Sequence, residues 1–315
     1  MDMRVVFMGT PVFAERSLRA LLDVGFHVVG VVSQPARPAG RGRQLAQPAV
    51  AVLAAERHIP LIQPENPHEP AALETLRAWL PDVIVVAAYG HILRPAILSL
   101  PPHGCVNVHA SLLPRYRGPS PIPMAILAGD TETGVTIMLM DEGADTGPIL
   151  AQRAIPIEDH DTTGTLTAKL AALGAQLLVE TLPAWVRGEI TPQPQDERQA
   201  TYCQKWRKED GRIDWSAPAG QIWRQVRAFQ PWPGAYTFWA GNLLKILEVW
   251  PIAEEKREAP AGHVVDVAGE PAVVAGDGLV VLKKVQLAGK KPMEGTAFVR
   301  GQRGFVGSML DGQGR

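Results

Sequence analysis

The fold is decided by the first stretch of the chain, residues 4–13, which reads R-V-V-F-M-G-T-P-V-F. Its valine-rich beginning predicts a buried β-strand, and Gly9 and the two residues after it predict a turn. The apolar residues Phe13, Leu18 and Leu21 then fall on one face of a helix. A strand, a turn and a helix in this order are typical of the start of an α/β domain.

The same alternation continues to residue 188. Further strands are predicted at His27–Val32, Val83–Ala87, Cys105–His109 and Val135–Met140, and helices at Pro48–Arg57 and Leu166–Val186. Fully apolar runs such as V-I-V-V-A suit parallel strands that are buried on both faces. Residues 1–188 are therefore predicted to form a Rossmann-like, doubly wound, mostly parallel sheet. Ligands bind such sheets at the carboxyl ends of the strands, near the topological switch point.

The pattern changes after Gly188. Residues 189–205 contain the proline-interrupted T-P-Q-P stretch and no clear period, which predicts a linker. Residues 206–315 hold six of the eight tryptophans. They also contain short alternating stretches at Leu243–Trp250, His263–Val267, Ala272–Val274 and Leu279–Val285, and a helical stretch at Gln221–Phe229. This half is predicted to be a smaller β-barrel of the OB type.

Composition limits the classes of protein that need to be considered. Apolar residues make up 46% and charged residues 20% of the chain, which is typical of a folded protein and not of a disordered one. The apolar runs are all shorter than the ~20 residues of a membrane span, and the N-terminus does not resemble a signal peptide. Two cysteines are too few for a disulfide framework. We therefore expect a cytoplasmic protein without a membrane segment or a metal, and a monomer.

The net charge of −1 conceals a difference between the two halves of the chain. Residues 1–204 carry 15 Lys and Arg against 20 Asp and Glu, whereas residues 205–315 carry 16 against 12. The second half is therefore basic. Such an excess fits a solvated surface as well as a domain that faces a polyanion, so charge leaves both interpretations open.

The first turn argues against the common nucleotide cofactors. It reads G-T-P-V-F where a dinucleotide-binding fold needs G-x-G-x-x-G, and the chain has no G-x-x-x-x-G-K-S/T phosphate loop. A nucleotide-dependent oxidoreductase is therefore disfavoured.

Two polar residues share one face of the strand predicted at Cys105–His109. Asn107 and His109 alternate with apolar neighbours, so both point the same way. Alone, such a pair is more typical of hydrogen-bonded packing groups than of a functional site.

An acidic, glycine-flanked loop, M-D-E-G-A-D-T-G at residues 140–147, follows the next strand and is by itself typical of a solvated turn. If Asp145 of that loop faces His109, however, the three side chains could perform acyl transfer to an amine: the amide and the imidazole would bind an oxyanion and the carboxylate would orient the imidazole.

Four longer motifs carry a resemblance to a known family. They are G-T-P-x-F, N-V-H-A-S-L-L-P-R-Y-R-G, G-V-T-I-M-L-M-D-E-G-A-D-T-G and R-A-F-Q-P-W-P-G. Together they resemble the folate-dependent formyltransferases from about Arg4 to about Val306, and the motif of the second half narrows the resemblance to members that act on tRNA. One departure is the proline-rich stretch 119–123, where the family more often has small residues.

The resemblance implies a set of site residues and a reaction. Asn107, His109 and Asp145 match the family's catalytic residues. Ser111, Leu112, Leu113 and Pro114 match its folate-binding turn, and Tyr89, Gly90, Ile92 and Met140 lie in segments that cradle the pterin. The implied co-substrate is 10-formyltetrahydrofolate, without a metal, and the implied reaction is direct formyl transfer to the amino group of methionine on initiator tRNA.

Two basic segments are candidates for tRNA contacts. Residues 33–55 contain no acidic residue but hold Arg37, Arg41 and Arg43. Such a long connection without predicted secondary structure is uncommon unless it is functional. The candidates in the second half are Lys283, Lys284, Lys290 and Lys291, although exposed lysines on a strand and a turn are an equally good interpretation.

Two rival hypotheses for the function stay open. One is an enzyme that formylates an amino sugar or another small amine, and the other is a non-catalytic RNA-binding protein on the same fold.

Overall fold

The structure, a computed structural model, describes residues 3–39, 44–253 and 259–310. The chain divides into two compact units. The first comprises Met1–Pro121, Glu132–Pro156 and Thr167–Gln204, and the second Ile122–Thr131, Ile157–Leu166 and Lys205–Arg315. All but the last residue of the predicted linker group with the first unit. The boundaries at 188, 189–205 and 206 stay predictions.

Strands and helices alternate through the part of the chain that carries the first sheet. The strands are β1 (Arg4–Gly9), β2 (His27–Val32), β3 (Arg37–Ala39), β4 (Gln44–Ala46), β5 (Leu61–Ile62), β6 (Val83–Ala87), β7 (Cys105–His109), β8 (Glu132–Leu139) and β9 (Ile149–Pro156). The helices are α1 (Val12–Asp23), α2 (Ala49–Glu56), α3 (Pro70–Ala78), α4 (Pro95–Leu98), α5 (Pro121–Ala128) and α6 (Thr163–Val186), followed by a 3-10 turn at Glu197–Gln199.

The first sheet has seven strands in the order β5-β2-β1-β6-β7-β8-β9. The first five are parallel, and β8 and β9 are antiparallel to their neighbours. This confirms the predicted doubly wound, mostly parallel sheet. After β1 the chain runs out to β2 and β5 and then returns to the other side of β1 at β6. The topological switch point therefore lies between β1 and β6, and the segments after these strands, at Thr10 and Tyr89, border it.

The central strands are buried along their whole length. All five residues of β6 and all five of β7 are buried. Valine and isoleucine are favoured in such strands because their branched side chains pack well on a pleated surface. Helix α1 covers the sheet with Phe13, Leu18 and Leu21. Asn107 and His109 are thus polar residues inside an apolar strand, which requires hydrogen-bond partners for both.

The connection after β2 differs from the sequence prediction. We expected a long stretch without secondary structure before the helix at α2, but β3 and β4 pair as an antiparallel hairpin in which Arg37 lies opposite Ala46. Pairing of two three-residue strands depends on the closure of the hairpin and leaves no periodic signal in so short a sequence. Arg41 and Arg43 lie outside the described residues.

The second unit is built on antiparallel strands. It contains a 3-10 turn at Lys208–Gly211, α7 (Ala219–Ala228), β10 (Tyr236–Trp239), β11 (Asn242–Ala253), β12 (Val264–Val267), β13 (Glu270–Val274), β14 (Gly278–Leu287), β15 (Met293–Glu294) and α8 (Gly295–Gly301). The strand order is β10-β11-β14-β13-β12, with β15 paired to β14. The predicted antiparallel second domain is confirmed. Its pairings trace an open path over the described residues and not the closed ring of the predicted barrel.

Aromatic side chains contribute to the mainly aliphatic core of this second unit. Trp239 contacts Phe298 and Phe305 edge to face, with ring centroids 5.7 and 5.3 Å away. Trp215 is buried, whereas Trp232 is 57% exposed. The tryptophan-rich composition therefore reflects packing at some positions and not at others. No helix in the described ranges is long and apolar enough to cross a membrane.

Candidate active site

Asn107 and His109 lie on β7, one strand beyond the switch point. Asn107 pairs with Val86 of β6 on one side and with Met138 of β8 on the other. Asn107 is 8% exposed and His109 6% exposed. The strand therefore presents both side chains on one face and holds them in a largely dry environment, where electrostatic interactions are stronger than in water.

Asp145 reaches the same point from the loop after β8. Its Oδ1 atom accepts a hydrogen bond of 3.4 Å from Nδ2 of Asn107 and lies 3.6 Å from Nδ1 of His109. Both distances are longer than those of strong hydrogen bonds. The three side chains that the sequence analysis singled out are thus brought together around one oxygen atom.

The hydrogen bonds of His109 define which ring nitrogen carries a proton. Nε2 lies 3.0 Å from the carbonyl oxygen of Tyr116, which can only accept, so Nε2 carries a hydrogen. Nδ1 then has no hydrogen in the neutral ring and can donate only from the imidazolium form. Nδ1 is the nitrogen that faces the carboxylate of Asp145. Two donors, Asn107 Nδ2 and imidazolium Nδ1, can therefore converge on a single negatively charged oxygen.

The backbone holds Asp145 in an unusual conformation. Its φ of +57° is in the left-handed region, which Asp tolerates better than most residues but still at a cost. Its Oδ2 atom accepts a 2.8 Å hydrogen bond from the amide of Gly118. Gly118 has a φ of +108°, and a Cβ atom there would lie 2.9 Å from the carbonyl oxygen of Cys203. Glycine at 118 thus places an N–H group where it fixes the carboxylate.

Hydrogen bonds within the chain segment itself and from strands β8 and β9 hold the S-L-L-P turn. The Ser111 hydroxyl donates to the Arg115 carbonyl at 2.6 Å, and the Leu113 amide donates to Thr136 Oγ1 at 3.1 Å. Gln152 donates to the Leu113 carbonyl at 2.8 Å. Ser111 and Leu113 are buried, and Leu112 and Pro114 are partly exposed. Thr136 and Gln152 were not found by the sequence analysis, because polar residues in β-strands give no signal of their partners.

The segment after β6 offers apolar and backbone surface beside the switch point. Ile92 is 74% exposed, Gly90 is exposed with a φ of +88°, and Met140 is half-buried against the cluster that contains Tyr89. An exposed large apolar side chain and a glycine backbone next to buried polar groups suit a flat heteroaromatic ring with polar edges. The residues present therefore fit a pterin.

Tyr89 contributes through its backbone. Its carbonyl accepts from Gln34 Nε2 at 2.8 Å and Thr10 Oγ1 at 3.3 Å. Its side chain is 2% exposed, and its hydroxyl has no hydrogen-bond partner among the described residues. Burial raises the pKa of this hydroxyl to about 12.

We expect Tyr89→Phe to raise the free energy of unfolding by about 1 kcal/mol, because the change removes a buried hydroxyl that has lost its hydrogen bonds to water. Urea unfolding of the two proteins measures the difference. A less stable variant would mean that the hydroxyl has a partner in solution.

Three of the candidate tRNA residues have an acidic partner. Arg37 is 3.2 Å from Glu65, and Lys283 donates to both carboxylate oxygens of Glu270 at 2.7 Å. Lys284 lies 3.9 Å from Glu294. Lys283 and Lys284 are consecutive in β14. Lys290 and Lys291 are exposed.

The described residues include neither a candidate metal site nor an activated thiol. Among them no group of three or more His, Cys, Asp and Glu side chains could hold a metal ion. Burial raises the pKa of the Cys105 thiol to about 12 and also raises that of Cys203, so neither is an activated thiolate nucleophile.

The fold and the site define a class of enzyme that transfers one-carbon acyl groups. Residues 3–182 match the family model described as formyl transferase, and residues 205–303 match its C-terminal domain. The chain is 51% identical to a methionyl-tRNA formyltransferase of Roseiflexus sp. over 98% of this chain and 96% of that protein. It is 50% identical to one of Chloroflexus aggregans over 95% and 97%. The chain belongs to the methionyl-tRNA formyltransferase family.

A solved structure shows the same fold at low identity. The sugar 3N-formyl transferase WlaRD, solved in the presence of dTDP and 5-N-formyl-THF, has a TM-score of 0.67 and 18% identity over 92% of this chain and all of its own.

Proposed function

We propose that this chain transfers the formyl group of 10-formyltetrahydrofolate to the amino group of methionine on initiator tRNA, as a cytoplasmic monomer. The observation that carries the proposal is the convergence of Asn107 Nδ2 and His109 Nδ1 on one oxygen of Asp145. The names of the relatives support the acceptor. Similar solved structures support the donor: HypX from Aquifex aeolicus was solved in complex with tetrahydrofolic acid, and WlaRD in the presence of 5-N-formyl-THF.

The side chains act in sequence as the amine attacks the formyl carbon. Asn107 Nδ2 and imidazolium Nδ1 of His109 donate hydrogen bonds to the formyl oxygen as negative charge develops on it. Asp145 stabilises the imidazolium while the new C–N bond forms. It then takes up the proton that the amine loses and passes it to the folate nitrogen as the bond between that nitrogen and the formyl carbon breaks. The co-substrate supplies only the formyl group. The four residues of the S-L-L-P turn, with Tyr89, Gly90, Ile92 and Met140, hold its pterin.

The direct test is incubation with 10-formyltetrahydrofolate and, separately, charged initiator and elongator methionyl-tRNAs, with formylmethionine measured by chromatography after mild hydrolysis. Transfer to the initiator tRNA alone supports the proposal. Transfer to neither tRNA overturns it, and a parallel incubation with an amino sugar then tests the small-amine hypothesis.

The proposal includes tRNA contacts by Arg37, Arg41, Arg43 and the four lysines. Of these, Lys290 and Lys291 are the exposed pair for which the structure gives no side-chain ion pair among the described residues. The others would have to exchange a carboxylate partner for a phosphate, or lie outside the described ranges.

We therefore expect the double variant Lys290→Ala, Lys291→Ala to weaken tRNA binding and to reduce the dependence of log K on log salt by about two, one for each lost phosphate contact. Filter binding of initiator tRNA across a salt series measures this slope. Folate affinity should not change, because both lysines belong to the second unit. An unaltered salt slope would remove them from the tRNA-binding surface.

A further inference from the structure

A fully buried arginine lies next to the candidate active site. Arg117 follows the S-L-L-P turn and has no exposed surface. Its guanidinium forms two parallel bonds to Glu197, Nη1 to Oε2 at 2.8 Å and Nη2 to Oε1 at 2.7 Å. Hydrogen bonding to Glu197 raises the pKa of Arg117 above its usual range, so the charge is permanent. Burying a charge this deeply has a large desolvation cost, which the hydrogen bonds of the guanidinium must offset.

Gln195 connects that arginine to the loop that carries Asp145. Its Oε1 atom accepts from Arg117 Nε at 3.0 Å and Nη2 at 2.9 Å. Its Nε2 atom donates to the carbonyl of Asp145 at 2.9 Å and to that of Gly147 at 2.7 Å. Both hydrogens and both lone pairs of the amide are therefore used. The arginine fixes which way the amide faces, because only the oxygen can accept from a guanidinium.

The same segment of chain also fixes the other end of Asp145. The Cys203 amide donates to the Arg117 carbonyl at 2.8 Å, and the Arg117 amide donates to the Thr201 carbonyl at 2.8 Å. These bonds set the backbone that leads to Gly118, whose N–H holds the Asp145 carboxylate. Gln195 thus holds the carbonyl of Asp145, while Thr201 and Cys203 support the backbone beside Gly118, which holds its carboxylate.

We propose that Gln195 is a positioning residue of the transfer reaction: by holding the carbonyls of Asp145 and Gly147, it keeps Asp145 Oδ1 against Asn107 and His109. This inference rests on the proposed function. Gln195 lies between the ranges of the two family models, residues 3–182 and 205–303, and within a segment that the sequence predicts to be a linker. Gln195, Thr201 and Cys203 accordingly support the candidate active site, so this part of the chain does more than connect two domains.

Two variants separate positioning from packing. Gln195→Met keeps the length of the side chain and removes all four polar contacts. Gln195→Glu keeps an acceptor for Arg117 but loses the two donated hydrogen bonds. Both should lower kcat roughly 10- to 100-fold, because a catalytic group displaced by about 1 Å loses this much, with little change in KM for 10-formyltetrahydrofolate. The matched control is Gln193→Ala. Among the residues that the structure describes, the exposed side chain of Gln193 bonds only to the Thr191 carbonyl, so this variant should keep the parent kcat.

A second measurement does not depend on activity. The ¹⁵N chemical shifts of the His109 ring at one fixed pH should differ between the parent and both Gln195 variants, and should be unchanged in Gln193→Ala. If Gln195→Met fails to fold, Gln195→Glu still gives both readouts, because it retains the contact with Arg117.

The outcomes distinguish this inference from the function on which it rests. A parent protein that formylates no tRNA overturns the proposed function, and the His109 shifts alone then decide whether Gln195 positions Asp145. An active parent with parent-like kcat and His109 shifts in Gln195→Glu overturns the positioning role, because the donated bonds would then be dispensable.

Discussion

Replacing Asn107 by alanine is expected to lower kcat by roughly 10²- to 10³-fold, because it removes a hydrogen-bond donor aimed at the developing oxyanion. Among the described residues, the Asn107 side chain donates one hydrogen bond, to Asp145 at the long distance of 3.4 Å. Its removal should therefore lower the free energy of unfolding only slightly. Folate binding should persist, because the pterin-binding segments lie on other loops. Single-turnover formylation, with folate affinity measured by fluorescence titration, separates the two effects.

The control for this variant is Asn242→Ala, the same change at an exposed position where the amide, within the described part of the chain, bonds only to the carbonyl of Ala240. It should leave single-turnover formylation at the parent rate. Near-parent formylation by Asn107→Ala would mean that the formyl oxygen is bound by other groups, and that Asn107 is a packing residue of β7.

Replacing Asp145 by asparagine is expected to have a still larger effect, on the order of 10³- to 10⁴-fold in kcat, comparable with the loss when an amide replaces the carboxylate behind a catalytic histidine. Asparagine tolerates the left-handed backbone as well as aspartate does. Its side-chain oxygen can still accept the Gly118 hydrogen bond, so the loop should keep its position. What is lost is the negative charge that stabilises the His109 imidazolium and accepts the proton of the amine.

A matched loss of charge elsewhere is the control. Asp23→Asn removes an exposed carboxylate whose partner is the exposed side chain of Arg57. Surface pairs of this kind contribute little, so kcat should not change. An Asp145→Asn enzyme with parent kcat would show that the imidazole needs no counter-charge, and the proposed proton path through Asp145 would be wrong.

The two expected effects differ because the two side chains do different work. Asn107 contributes one hydrogen bond, and His109 can still bind the oxyanion without it. Asp145 acts through His109 as well as on the amine, so its loss disables two functions at once. The structure gives the reason: Nε2 of His109 is bound to the Tyr116 carbonyl, so only Nδ1, the nitrogen that faces Asp145, can donate to a substrate.

The sequence predicted the elements that depend on local pattern. The strands at Val83–Ala87 and Cys105–His109 have the predicted bounds, since the first is a continuous apolar run and the second alternates apolar and polar residues. The hairpin of β3 and β4 was missed, because two strands of three residues carry too little pattern to be detected. Family resemblance, together with the shared face of Asn107 and His109, pointed to the candidate catalytic residues before any distance was known.

By itself, then, the sequence determined the alternation of strands and helices, the face on which Asn107 and His109 lie, and the family. Period-two and period-3.6 patterns are local, and motifs are linear, so both can be found along the chain. Only the tertiary structure decided that Asp145 contacts those two side chains and that Nδ1 is the nitrogen of His109 that faces it. Only the tertiary structure, too, decided that Gln195 bonds to both Asp145 and Arg117. These contacts join residues that lie 38, 50 and 78 positions apart. The spacing along the chain does not encode them, because they arise from the packing of loops that have no period.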